Sequence, residues 1–171
     1  NGTSPNIKLI KEIASEAFMP MMIGGGVSCI NDVEKILSSG VEKVLFNKLF
    51  LYNPDKIREI SNNFGSQSIV VSINIKKDLF GKNRLYDYTL RKFSSLKISD
   101  ALLKCTELGV GEIIITYIDK DGTQDGLELK YSSNYIKETK LPIVINGGAK
   151  SIDDLKKASL LGFSGIAVGS M

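Results

Sequence analysis

The feature that narrows the fold of this chain most is an internal repeat. Pro20-Met21-Met22-Ile23-Gly24-Gly25-Gly26 recurs as Pro142-Ile143-Val144-Ile145-Asn146-Gly147-Gly148. The offset that carries Pro20 onto Pro142 also carries Ile30 onto Ile152, Asp32 onto Asp154, Lys35 onto Lys157 and Gly40 onto Gly162. The apolar run Val44–Phe46 then falls on Ile166–Val168 without a gap. A strand, a glycine turn, a helix and a second strand repeated in register indicate a duplicated half-barrel.

The rest of the chain has the matching rhythm. Apolar runs at Pro20–Ile23, Lys43–Phe46, Ser68–Ile75, Glu112–Thr116, Pro142–Asn146 and Gly165–Val168 read as strands buried on both faces, as in a parallel sheet. Between them the 3.6-residue period predicts helices at Ile30–Ser39, Pro54–Asn63, Ile98–Leu108, Leu129–Thr139 and Ile152–Leu161, after an opening helix at Asn6–Ser15. Asn53 before Pro54 reads as an N-cap, and Gly40, Gly109 and Gly162 as left-handed caps just past helices. The expected fold class is therefore α/β, a (β/α)8 barrel of duplicated halves. Counting strands against the repeat places the partners of Ser68–Ile75 and Glu112–Thr116 before Asn1. Residues 1–171 are thus expected to form one incomplete barrel domain holding strands three to eight, without the helix that follows the last strand. Such a piece has open sheet edges and should not be stable alone.

Composition removes several function classes. With no histidine, a Ser-His-Asp triad, a Cys-His pair and a His-ligated zinc site are excluded within these residues. Cys29 and Cys105 stand apart, in no metal-ligand spacing, and read as buried or half-buried free thiols. No metal or cofactor is expected. The net charge of +3 comes with scattered lysines and no basic stripe, so no nucleic-acid partner is indicated. No apolar run is long enough to span a bilayer and no signal peptide is visible, so no membrane partner and a cytoplasmic location are expected.

Two kinds of segment carry chemistry. Gly24-Gly25-Gly26 and Asn146-Gly147-Gly148-Ala149 each follow a strand and precede a helix, where bare backbone amides favour an anion. Asn47 and Gly169-Ser170 follow the next strand in each half, where barrels complete phosphate sites. A duplicated site implies a ligand with phosphates at both ends. Thr116-Tyr-Ile-Asp119-Lys-Asp121-Gly122-Thr123-Gln-Asp125-Gly126 sets carboxylates, a hydroxyl and glycines just past a strand, where barrel catalysis occurs. It lacks the later ligands of a calcium loop. The long segment Lys76–Phe93, with a turn at Gly81-Lys82-Asn83, is placed as a functional loop. Its Phe80, Tyr86 and Tyr88 read as packing residues, and Met19, Met21 and Met22 as core.

Pro20–Asn47, Phe64–Lys77, Gly109–Thr123 and Ile145–Gly148 together resemble the cyclase subunit of imidazole glycerol phosphate synthase, over essentially the whole chain. The resemblance implies ammonia-dependent cleavage and ring closure of a bis-phosphorylated ribonucleotide, giving imidazole glycerol phosphate and an aminoimidazole carboxamide ribotide. It also implies a heterodimer with a class I glutaminase subunit, whose ammonia crosses the barrel. By position, Gly25, Gly26 and Asn47 would bind one phosphate. Gly122, Gly147, Gly148, Gly169 and Ser170 would surround the other, with Asp121 beside it. Asn74, Thr116 and Asp121 are the catalytic candidates.

Two residues depart from the family pattern. Asn74 stands where the family has its second catalytic aspartate, and an amide cannot deliver a proton. Lys48 replaces a threonine beside the first phosphate. Asp78 and Asp119 are the carboxylates that could compensate for Asn74. Two other readings therefore stay open beside the cyclase. One is a paralogue supplying ammonia for aminating a surface-polysaccharide sugar, suggested by the Lys76–Lys82 segment. The other is a non-catalytic phosphate-binding activator of a glutaminase.

Overall fold

The computed structural model describes residues 4–169, and the chain forms two compact units. The first comprises the chain to Val71 together with Leu108–Gly111. It opens with α1 (Ile7–Glu16), capped by Asn6, whose Oδ1 accepts from the Leu9 amide at 3.2 Å. Then follow β1 (Met22–Gly24), α2 (Ile30–Leu37), β2 (Lys43–Phe46), the short α3 (Lys48–Tyr52), α4 (Pro54–Phe64) and the start of β3 (Ile69–Lys77). β1 and β2 are parallel, with Met22 opposite Lys43 and Gly24 opposite Leu45. β2 and β3 are parallel, with Val44 opposite Ile69 and Phe46 opposite Val71.

Helix period decides which faces of this unit are dry. α2 buries Val33 and Ile36, and α4 buries Ile57 and Ile60, each pair one helical turn apart. Sequestering each of these side chains contributes about 1.5–3 kcal/mol. Ser61, also buried, donates its hydroxyl to the Gly109 carbonyl at 2.5 Å.

The second unit holds Ser72–Glu107 and Glu112 onward. β3 continues into it and pairs antiparallel with β4 (Asn83–Asp87), Ile75 facing Leu85, and β4 pairs with β5 (Lys92–Phe93). After α5 (Ile98–Glu107) the parallel alternation resumes with β6 (Glu112–Tyr117), α6 (Leu129–Glu138), β7 (Ile143–Asn146), α7 (Ile152–Leu160) and β8 (Gly165–Ala167). The strand order 3-6-7-8 keeps sequence order, each parallel neighbour being joined by a helix. The chain is α/β, built of the sequential β/α units of a partial (β/α)8 barrel.

The predicted strands all exist, with ends displaced by a residue or two. Gly40, Gly109 and Gly162 take φ of 94°, 73° and 97°, the left-handed caps read from the sequence. Asn53 occupies the N-cap of α4 with Pro54 in its first turn, as expected, although its side chain makes no cap hydrogen bond. Three expectations fail. The hairpin turn is Asp78–Lys82, closed by Gly81 N donating to Asp78 O, so Asn83 begins β4 instead of ending the turn. Met19 and Met22 are exposed, because β1 has a neighbouring strand on one side only among the described residues. Phe80 and Tyr88 are exposed at the two hairpin turns, whereas Tyr86 packs edge-on against Phe93 at 5.5 Å.

Candidate functional site

The carboxyl ends of β6, β7 and β8 converge on a cavity of about 200 Å³ in the second unit. Asp121, Gly122, Gly147, Gly148 and Gly169, all picked from the sequence, line it. The glycines after β7 are required by backbone proximity. A β-carbon on Gly147 would stand 2.7 Å from the Tyr117 carbonyl, and one on Gly148 2.8 Å from the Gly126 carbonyl. The loop after β6 thus lies directly against the turn after β7, and both strand ends open into one hollow. Lys120 ties that loop from within, its ammonium donating to the Gly126 carbonyl at 2.8 Å.

Gln124 and Asn146 also line this cavity and were not among the predicted ligands. Gln124 sits at φ 56°, a left-handed conformation that a glutamine rarely adopts, so sequence gave no signal for it. Asn146 is placed by the register of β6 and β7, which sets it opposite Thr116. Its Nδ2 donates to Thr116 Oγ1 at 3.4 Å. Thr116 therefore reaches the cavity through Asn146 and does not line it directly.

Asn74 is half-buried on β3 and accepts from the Ser72 hydroxyl at 3.2 Å. The two carboxylates that could stand in for an aspartate at that position are both engaged. Asp78 Oδ1 accepts from the Phe80 and Lys82 amides, each at 2.9 Å, and holds the hairpin turn. Asp119 accepts from the Lys77 amide at 3.0 Å and faces Lys76 Nζ at 3.7 Å. Lys77 itself pairs with Glu128 at 2.9 Å.

The first unit has its own cavity, about 330 Å³, lined by Gly26, Val27, Ser28, Lys48, Leu49 and Tyr52 together with Ser4. Gly26 lies in the wall; Gly25 and Asn47 adjoin lining residues without lining it themselves. At the start of α2, Asp32 Oδ2 accepts from the Ser28 amide at 3.0 Å, the Ser28 hydroxyl at 3.2 Å and the Cys29 amide at 3.3 Å. The Ser28 amide, foremost among these bonds, holds the Asp32 carboxyl below the usual carboxylate range. The repeat shows in the second unit, where Asp154 Oδ2 accepts from the Lys150 amide at 3.2 Å. Ser170, expected to complete the second phosphate site, lies outside the described residues.

Away from the cavities, burial raises the phenol of Tyr117, whose oxygen accepts from the Ser132 hydroxyl at 2.8 Å. Burial likewise pushes the Cys105 thiol up to about 12. Among the described residues there is no group of three His, Cys, Asp or Glu side chains that could hold a metal ion. No described helix is long and apolar enough to cross a membrane.

Comparison with known proteins fits this geometry. The family described as histidine biosynthesis protein matches residues 1–171. The chain is 34% identical to the imidazole glycerol phosphate synthase subunit HisF of Dictyoglomus thermophilum, over 99% of this chain and 68% of that protein. It is 37% identical to the HisF subunit of Lactococcus lactis, over 86% of this chain and 58% of the relative. Identity to the HisF subunit of Alkaliphilus metalliredigens is 30%, over 96% and 65% respectively. The chain thus spans roughly two thirds of its relatives' length, and it belongs to the histidine biosynthesis protein family, with the HisF subunits of imidazole glycerol phosphate synthase as its relatives.

Proposed function

We propose that the protein is a cyclase subunit of the imidazole glycerol phosphate synthase type, cleaving and closing a bis-phosphorylated ribonucleotide with ammonia. The observation that carries this reading is the cavity of the second unit, where the Gly147–Gly148 turn, the Asp121 loop and Gly169 meet in one hollow. Glycine-turn amides suit a phosphate, since no side chain keeps the anion from the backbone. Asp121 supplies a carboxylate at the edge of the same hollow, and Thr116 is oriented by Asn146. Asn74 can hold a substrate by hydrogen bonds but cannot exchange a proton with it. Loss of one general acid–base group costs about 10²–10⁴ in rate, so slow turnover is the expected consequence. A glutaminase subunit as the ammonia source, and a cytoplasmic place, belong to the same proposal.

Asn74 also favours one second reading. A barrel without that acid–base group still binds phosphates and passes ammonia, so the protein would serve an acceptor other than the histidine intermediate, such as a surface sugar. Supplying the bis-phosphorylated intermediate with excess ammonia separates the two. Imidazole glycerol phosphate appears under the first reading and not under the second.

A further inference from the structure

The two anion cavities are related by the internal repeat but do not carry the same charge. Both have a glycine turn after a strand, and in both an aspartate one helical turn on occupies amides at the helix start. The offset that superposes the halves carries Asn47 onto Gly169 and Lys48 onto Ser170. Lys48 lines the first cavity, exposed, and makes no ion pair with any described residue. Among the described residues no basic side chain lines the second cavity, the Lys120 ammonium being held by the Gly126 carbonyl, and Asp121 places a carboxylate there.

Electrostatics then divides the two sites. In the first unit the Ser28 and Cys29 amides already serve Asp32, leaving the glycine turn and the Lys48 ammonium to meet an anion. A lysine acts on phosphate as a point charge, so its contribution grows with the anion's charge and falls with salt. In the second unit an anion meets neutral donors, and the Asp121 carboxylate opposes a second negative charge.

We infer that Lys48 makes the first cavity selective for doubly charged phosphate, while the second binds phosphate through neutral groups and discriminates little by charge. This rests on the phosphate-binding reading above and adds which phosphate is held by charge.

The test is titration of the ¹⁵N-labelled protein with inorganic phosphate, following the amides of Gly26 and Gly148 separately. Titrations at about pH 5.5 and about pH 8 bracket the second ionisation of phosphate. The expected result is tighter binding at Gly26 at the higher pH, and weakening by added salt. Lys48→Met weakens binding at Gly26 about tenfold, Lys48→Arg restores it, and Gly148 is unaffected by either. Equal affinity and pH response at both glycines, or no change at Gly26 in Lys48→Met, overturns the inference while leaving phosphate binding intact. Silence of both amides overturns the inference and the phosphate reading together.

Discussion

The amide of Gly126 donates to the carbonyl of Gly148 at 2.6 Å, fastening the loop after β6 to the turn after β7. The bond fixes the Asp121 loop against the glycine turn, so the shape of the second cavity depends on two backbones in contact. Side chains added at the two glycine turns should consequently differ in effect. Gly25 has φ 98° but nothing within 4 Å of an added β-carbon, so Gly25→Ala should cost only backbone strain, about 1–2 kcal/mol. Gly148→Ala adds to similar strain a contact 2.8 Å from the Gly126 carbonyl, and should cost about 2–4 kcal/mol. Urea denaturation of the two variants measures this order. A larger loss in Gly25→Ala contradicts it.

Asp32 gives a pH-dependent prediction. Its folded-state pKa is depressed, so its contribution is present above the unfolded value near about 4 and is lost as pH falls through the lower folded value. Asp32→Asn keeps an acceptor oxygen but removes the charge at the start of α2, and should lower stability by about 0.3–1 kcal/mol at neutral pH. The difference should close at acid pH, below the folded pKa. A constant gap between wild type and variant from neutral to strongly acid pH would exclude the carboxylate as its source.

The two thiols should react very differently. Cys29 is half-buried at the start of α2, whereas Cys105 is fully buried with its pKa raised to about 12. A disulfide reagent added to the native protein near neutral pH should label Cys29 and spare Cys105 until denaturant is added. Mass mapping of the labelled peptides reads this directly. Prompt native-state labelling of Cys105 would mean that α5 opens far more readily than its packing implies.

Burial also gives the Tyr117 hydroxyl a measurable role. It accepts from Ser132, whose oxygen also contacts the Glu128 carbonyl at the head of α6. Tyr117→Phe leaves Ser132 with that carbonyl as its remaining partner and should cost about 0.5–1.5 kcal/mol by thermal or urea unfolding. Turnover should not change, because Tyr117 lies outside both cavities. A large drop in turnover with stability unchanged would place it in the chemistry.

Much of this was legible in sequence, for identifiable reasons. β3 and β6 are long enough for apolar runs to reveal strands buried on both faces, and the repeat tied the glycine turns to strand ends. Of the candidate site residues, Gly147, Gly148 and Gly169 came from that logic and Asp121 and Gly122 from their place just past β6, and the structure sets all five around one hollow. α3 escaped notice because its five residues are too few to display a helical period. Gln124 escaped because its left-handed backbone is imposed by the loop around it and has no residue signature. The pairing of Asn146 with Thr116 depends on strand register, which only the folded sheet supplies. Phe80 read as a packing residue; the Asp78 turn instead carries it out into solvent.

Asn74 in place of an aspartate should slow ring closure without abolishing it, and a single comparison tests this. The protein is supplied with excess ammonia and the bis-phosphorylated histidine intermediate, as found and with Asn74→Asp, and imidazole glycerol phosphate is quantified. Slow formation by the natural sequence, rising by about 10² or more in kcat with the aspartate, is the predicted result. Absence of product from both proteins, with phosphate binding intact, would contradict it.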